Sequence, residues 1–263
     1  MTTIPPSPLL TPSEARRLRK GARTSAFLDN LPPGLAAAVL GAAVRKSVRR
    51  GTTLKDAGYR ATHVFLVESG CITEQILFPE AGHMRPASLR FRQAGSVIGE
   101  NDLSTPFNPQ QKTEHDASLY TTIVTCLTPS VVDAIPIVKM REFLDSEPAF
   151  GKALLASVAK SSTESQMVYA NSRLAALQRV AHLLLYLSEW SHSSEQPPRL
   201  TVTGPTQTNL AEALMLGRAS IEAALRELRD KEILSTNHRT YAIHKPRALW
   251  AEAGSPSRIQ PDY

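Results

Sequence analysis

The residue texture changes at Pro136, and that change restricts the fold more than any other feature. From Val48 to about Ile135 the chain is a series of short β-type runs, HVFLVESG, CITEQILF, ASLRFRQAG, LYTTIVTCL and VVDAIP, parted by turn residues. Strand-sized segments at this spacing predict a compact antiparallel sandwich or barrel. After Pro136 the segment from IVKMREFL to LLLYLSEW shows no strand-like alternation and predicts helix. The class is therefore α+β, a β-domain followed by a helical half.

The stretch TQTNLAEALMLGRASIEAALRELRDKEIL, residues 206–234, carries the strongest functional signal. Thr206 or Thr208 can cap a short helix whose inner face is Leu210, Ala213 and Leu214. A break at Met-Leu-Gly follows, and a second helix begins near Gly217. It places Ile221, Leu225 and Leu228 inside and Arg218, Ala219, Glu222, Ala223 and Arg226 outside. Behind it, ILSTNHRTYAIH reads as a hairpin around Asn237, His238 and Arg239. A helix pair alone occurs in many helical proteins. With a hairpin directly after it, and Ala211 small where the helices cross, the pattern reads as a winged helix-turn-helix. In that geometry the second helix enters the major groove of double-stranded DNA, and the first helix and the wing touch phosphates. The expected contacts are Thr206 and Gln207; Arg218, Ala219, Ser220, Glu222, Ala223 and Arg226; and His238 and Arg239.

Composition narrows the alternatives. No apolar run approaches the roughly 18 residues of a membrane span, and MTTIPPSPLLTPSEARRLRKGARTS lacks the apolar core of a signal peptide, so a soluble cytoplasmic chain without a membrane partner is expected. Cys71 and Cys126 are too few and too far apart for a disulfide framework or a thiolate cluster. The seven histidines show no metal-ligand spacing, and there is no paired nucleophile and base and no Gly-rich phosphate loop. Neither a metal site nor catalysis is expected. The formal net charge is +6, and Lys and Arg exceed Asp and Glu by 8 within residues 1–60, chiefly in RRLRKGAR and VRKSVRR. Such clusters serve a polyanion or are merely solvated, and both readings stand for the tail.

Residues 1–24, rich in Pro, Ser, Thr and Arg, are expected to be disordered, and FLDNLPPGLAAAVLGAAV reads as a helical lead-in. Within the later helical segment Leu154, Val158, Ser165, Val168, Ser172 and Ala175 recur at spacings of three, four and seven. So narrow a seam suits a partner helix; rest against the β-domain is the competing explanation.

This order of parts resembles the cyclic-AMP receptor/fumarate-nitrate regulator (Crp/Fnr) family, from about Phe27 to Leu249. Gly51, Gly58, Gly70 and Gly95 fall where that family's β-roll turns, and Gly99-Glu100 matches its phosphate-cassette Gly-Glu. RVAHLLLYLSEW is similar to the first helix of its DNA-binding domain. The resemblance implies a cyclic-nucleotide-binding-like β-roll over 25–146, a dimerisation helix over 147–173, a winged helix-turn-helix over 174–250 and a flexible tail over 251–263. It also implies a homodimer on a two-fold-related DNA site, a small-molecule effector, and RNA polymerase as partner if the chain activates transcription.

The family pattern fails in two places. Cyclic nucleotide binders carry an Arg after the Gly-Glu element to pair the phosphate; here Leu119 and Tyr120, followed by Thr121, stand at the corresponding positions, and no Arg lies between Arg92 and Arg141. A buried phosphate needs a charge-assisted partner that Leu and Tyr cannot supply, so cyclic-AMP binding of the usual kind is not expected and no cofactor is assigned. Gly99, Glu100, Leu119, Tyr120 and Thr121 are the candidate effector pocket, with Lys112 a further cation on the loop between them. In the recognition helix the family's Arg-Glu-Thr-Val-x-Arg becomes RASIEA, which keeps Arg218 but sets Ala219 and Ala223 where the Glu and second Arg stand. Glu222 and Arg226 can pair within the helix or divide between a cytosine and a phosphate. The usual turn glycine is Met215. Softened base readout leaves a second function class open, an effector-sensing or protein-interaction module that has lost specific base readout.

Overall fold

The computed structural model describes residues 26–80, 83–103, 119–169, 172–190 and 200–254. The tail expected over 1–24 and the loop bearing Lys112 lie outside these residues.

The described chain enters through α1 (Ala26–Asp29) and α2 (Pro33–Gly41). Pro33 opens α2, where a missing N–H costs nothing because the first turn has no acceptor for it. Eight strands follow: β1 (Val44–Val48), β2 (Thr53–Lys55), β3 (His63–Ser69), β4 (Ile72–Glu80), β5 (His83–Arg92), β6 (Val97–Ile98), β7 (Thr122–Cys126) and β8 (Ser130–Pro136). They form two antiparallel four-stranded sheets of order β1-β8-β3-β6 and β2-β7-β4-β5. In β3 the residues Val64 to Val67 are all buried because both faces are covered. Phe65 and Val67 join Ile72, Ile98, Val124 and Val132 between the sheets, whereas Val64 and Leu66 join Ala36, Val39, Met140 and Phe150 beneath the helices. A strand buried on both faces reads as an unbroken apolar run, which is why HVFLV shows no alternation.

The β-region begins at Val44 rather than the expected Val48. β1 is an edge strand paired only with β8, mostly exposed, and Arg45 forms an ion pair with Glu68 of β3. Charged side chains on an edge deter pairing with another chain, so part of the basic VRKSVRR segment has a structural use.

α3 (Ile137–Ser146) leads to α4 (Pro148–Tyr169), the long helix. It ends before the expected residue 173, and Ser172 to Leu174 form a turn. The predicted seam is divided. Leu154 packs with Phe27 and Phe150, and Val168 packs with the C-terminal half, while Ser172 and Ala175 lie beyond the helix. The outward face of α4 presents Val158 of that seam together with Leu155, Ala159 and Met167.

The C-terminal half contains α5 (Ala176–Leu187), β9 (Glu189–Trp190), β10 (Leu200–Thr203), α6 (Gln207–Leu214), α7 (Arg218–Asp230), β11 (Leu234–Asn237), β12 (Thr240–Ile243) and α8 (Pro246–Glu252). Its sheet has the order β11-β12-β10-β9. Glu189 and Trp190, expected to be helical, pair with β10. α8 runs through Glu252 and Ala253 is buried, so order extends into the segment expected as a tail from 251.

The two halves share one core. Leu183, Leu184, Leu210, Leu214, Ile221, Leu225, Leu228 and Tyr241 of the C-terminal half cluster with Cys71, Leu89 and Phe91 of the β-domain. At Gly204 (φ 114°) an added Cβ would lie 2.9 Å from Thr128 Cγ2 and 3.3 Å from Cys71 Cβ. Only glycine permits that approach. Among the described residues no helix is long and apolar enough to cross a membrane.

Candidate functional site

Thr206 caps α6. Its Oγ1 accepts from Asn209 N–H at 3.1 Å, and Asn209 Oδ1 accepts from Thr206 N–H at 3.0 Å. This reciprocal arrangement satisfies two donors that a helix start leaves without partners. At the other end of α6, the buried Arg179 of α5 donates to the Leu214 carbonyl, placing a cation at a helix C-terminus, where the backbone dipole favours it. α6 is thereby fixed at both ends against the body of the domain.

The turn between the helices passes through Met215, which is left-handed at φ 50° and ψ 46°. The conformation disfavours a side chain bearing Cβ, and the Met215 side chain is 70% exposed, so packing returns little. Met215→Gly is expected to raise stability by about 0.5–1 kcal/mol, read by thermal unfolding, the relief being partly offset by glycine's freedom in the unfolded chain.

Gly217 precedes α7, whose buried side is Ile221, Ala224, Leu225 and Leu228. Arg218, Ala219, Glu222, Ala223 and Arg226 are exposed, with Ser220 half-buried at their edge. These residues thus share one solvent face, and Thr206 and Gln207 are half-buried at the start of α6. Arg226 Nη2 lies 3.3 Å from Glu222 Oε1, an exposed pair that screening makes weak and easily exchanged for a phosphate or base partner. β11 and β12 form the wing, and its turn brings His238 to the surface. Arg239 is half-buried and left-handed at φ 57°, and its carbonyl accepts from Gly204 N–H at 2.9 Å. Wing and domain seam therefore meet at one residue.

The five residues expected around an effector do not share one wall. Gly99 takes the left-handed φ of 97° that starts the turn Glu100–Asp102. Leu119 is 52% exposed and bridges to Arg60, and Thr121 is exposed, its hydroxyl donating to Asp102. Tyr120 is buried, its Oη accepting from the N–H of Thr62 and of His63 at 3.1 and 3.0 Å. Its ring faces the ammonium of Lys55, 5.1 Å from the centroid, and Lys55 pairs at 2.5 Å with Asp102, both side chains being almost wholly buried.

Sequence reasoning passed over the residue that engages Glu100, which is Arg92. Its Nε donates to Glu74 Oε2 at 2.7 Å, its Nη2 to Glu100 Oε1 at 2.8 Å and its Nη1 to Ser161 Oγ of α4 at 2.6 Å. Thr122 completes Glu74, donating to Oε1 at 3.1 Å. Burial pushes the Glu74 carboxyl up, but Arg92, Lys55 and Thr122 together outweigh it and hold Glu74 below the usual carboxylate range. At Glu100 burial, joined by the charge of Glu74, prevails over Arg92 and raises the carboxyl. The signal in the sequence was Glu74 itself, a carboxylate at the inward position between Ile72 and Ile76 of a strand.

Arg92 stands between two contacts that run to the helices. Phe91 N–H donates to Tyr169 Oη at 3.0 Å, and Gln93 Nε2 donates to the Leu187 carbonyl at 2.8 Å. Three consecutive residues thus tie the end of β5 to α4 and α5.

Residues 178–252 match the family model of the Crp-like helix-turn-helix domain. No curated protein matches the sequence. Among solved structures the chain is similar to a protein of Ruegeria pomeroyi described as cyclic nucleotide binding, at 22% identity over 87% of this chain and 93% of that one, with a TM-score of 0.61. It is similar also to a transcriptional regulator of the CRP family from Thermus thermophilus, at 20% identity over 82% and 100% of the two chains, with a TM-score of 0.59. FixK2 from Bradyrhizobium japonicum gives 16% identity over 82% and 99%, with a TM-score of 0.59. The chain carries a Crp-like helix-turn-helix domain at residues 178–252 and, over most of its length, has the fold of the Crp/Fnr family of transcription regulators.

Proposed function

We propose that this chain is a cytoplasmic, sequence-specific DNA-binding transcription regulator that acts as a homodimer on a two-fold-related site. The observation that carries the reading is the face of α7. Its apolar side is spent in the core, while Arg218, Ala219, Glu222, Ala223 and Arg226 stand together in solvent beside the wing. Arg218 is the base reader, through a bidentate guanine contact; Ala219 and Ala223 offer apolar contact to a thymine methyl; Thr206, Gln207, Ser220, His238 and Arg239 position the backbone. The exposed Leu155, Val158 and Met167 on α4 support pairing with a second copy along that helix. The division of labour is an effector domain over 25–146, α4 (Pro148–Tyr169) as the dimerisation helix and a DNA-binding domain over 174–250. RNA polymerase is the further partner where the bound protein activates.

The effector is not a cyclic nucleotide held in the family's usual way. Arg92 is the cation beside Glu100, and all three of its nitrogens have protein partners. No catalytic role is proposed.

Selection of genomic fragments by the purified protein tests the reading. An enriched two-fold-related sequence is expected, with affinity falling steeply as salt rises. Arg218→Ala should narrow the gap between specific and non-specific binding by about 1–3 kcal/mol, measured by competition between the selected site and a scrambled one. Absence of any enriched sequence, together with a stoichiometric protein partner, would support the interaction-module reading instead.

A further inference from the structure

The basic segment VRKSVRR, residues 44–50, carries more cations than its place at a sheet edge uses. Arg45 is taken up by Glu68. Arg49 and Arg50 follow the end of β1 and are both exposed. Among the described residues neither side chain has an ion pair or a hydrogen bond.

Contacts along the backbone place this pair beside the DNA-binding half. Gly51 N–H donates to the Cys126 carbonyl at 2.7 Å, and Cys126 N–H donates to the Thr52 carbonyl at 2.9 Å. Val48, just before the two arginines, is paired with Ser130. The turn that bears Arg49 and Arg50 is thus fastened to residues 126–130, between β7 and β8. Those same residues meet Gly204, where an added Cβ would lie 2.9 Å from Thr128 Cγ2 and 3.3 Å from Leu127 Cβ. Gly204 N–H in turn donates to the carbonyl of Arg239 in the wing at 2.9 Å. Two hydrogen-bonded steps and one close packing contact therefore lead from Arg50 to Arg239.

No carboxylate is carried by the segments along this path. Residues 122–130 (TIVTCLTPS), 200–209 (LTVTGPTQTN) and 235–240 (STNHRT) contain neither Asp nor Glu. They supply hydroxyls instead, with Thr203 exposed and Thr125 and Thr128 half-buried. Two adjacent guanidinium groups without an acidic neighbour extend the positive potential of the wing onto the β-domain. A guanidinium in solvent keeps its donors available for the paired oxygens of a phosphate.

We propose that Arg49 and Arg50 grip the sugar-phosphate backbone of double-stranded DNA beyond the wing, which makes the β-domain itself a DNA-contacting surface. The proposal rests on the regulator reading above and adds a second contact region to it. Duplex DNA is the polyanion that the wing already brings to this side of the molecule, whereas an acidic protein would have to displace it. The contact strengthens binding without choosing a sequence, because phosphates are the same in every sequence.

The test uses the full chain and the DNA sequence enriched by selection, prepared in two lengths. One duplex ends with the two-fold-related sequence, and the other continues for about ten base pairs, one turn, at each end. The original chain should bind the longer duplex about tenfold or more tightly than the shorter. Arg49→Gln/Arg50→Gln should lose that advantage, bind the shorter duplex as before, and keep both its melting temperature and its preference for the selected over a scrambled sequence. On the longer duplex its salt dependence should flatten, the slope of log affinity against log salt falling by about 0.9 for each phosphate contact removed. The proposal is overturned if extension brings no advantage, if the double variant retains it, or if the variant weakens both lengths equally, which is the response to a general loss of charge. Should selection enrich no sequence, the regulator reading fails on its own. The two chains are then compared on a long random-sequence duplex, where a smaller salt slope for the variant upholds the contact and an equal slope overturns it.

Discussion

Lys55→Met is expected to destabilise the protein by about 3–5 kcal/mol, among the largest losses available from one side chain. Lys55 and Asp102 are 1% and 0% exposed at their side chains and 2.5 Å apart. Methionine keeps the volume and apolar length of the stem but strands the Asp102 carboxylate away from water. The loss comes from that abandoned charge rather than from the net worth of the pair, because two buried ions are expensive to desolvate in the first place. The double variant Lys55→Met/Asp102→Leu should therefore recover much of the stability. Urea unfolding of the single and double variants measures this. A double variant no more stable than the single one would mean that the pair, and not the stranded charge, is what matters. The ring of Tyr120 beside Lys55 should lose its fixed position in the same variant, visible as a change in near-ultraviolet circular dichroism.

Arg92→Met should cost a similar amount at neutral pH, about 3–5 kcal/mol, and its pH dependence identifies the cause. Without the guanidinium, Glu74 and Glu100 become two buried carboxylates with no cation between them, and both are raised above their unfolded-state values. A carboxyl raised on folding leaves stability intact below its unfolded pKa and loses it as pH climbs through the folded one. The penalty of Arg92→Met should therefore be small in mild acid and grow towards neutrality. Unfolding curves across that range check the slope. A penalty independent of pH would assign the loss to the Ser161 contact and to packing. Arg92→Lys should not restore the original behaviour, since one ammonium cannot present separate donors to Glu74, Glu100 and Ser161.

Local patterns were legible wherever burial follows one period. The i, i+4, i+7 apolar series of α7 and the Thr206 cap are readable because nearest neighbours along the helix decide them. The outward set from Arg218 to Arg226 follows from the same period. What escaped depends on distant partners. Nothing local marks Arg92 as the residue that meets Glu74, Glu100 and Ser161, since the last is 69 positions away in the chain. For the same reason the effector residues chosen from sequence separate into Glu100 paired with Arg92 and Tyr120 pinned to the backbone of Thr62 and His63. The seam read on α4 splits: Leu154 and Val168 turn inward, while Val158 stays outward beside Leu155. Helical periodicity fixes which residues share a face, but only the surrounding strands and helices decide which face is taken.

Gly204 bears on how the two halves can move. Its backbone lies so near Thr128 and Cys71 that no side chain fits, and Leu89 and Phe91 enter the same core as the helix-turn-helix. Densely packed interiors exchange between distinct arrangements rather than deforming smoothly. A Cβ at residue 204 has to displace Thr128 or Cys71, so Gly204→Ala is expected to loosen the packing between the two halves, read as a lower melting temperature.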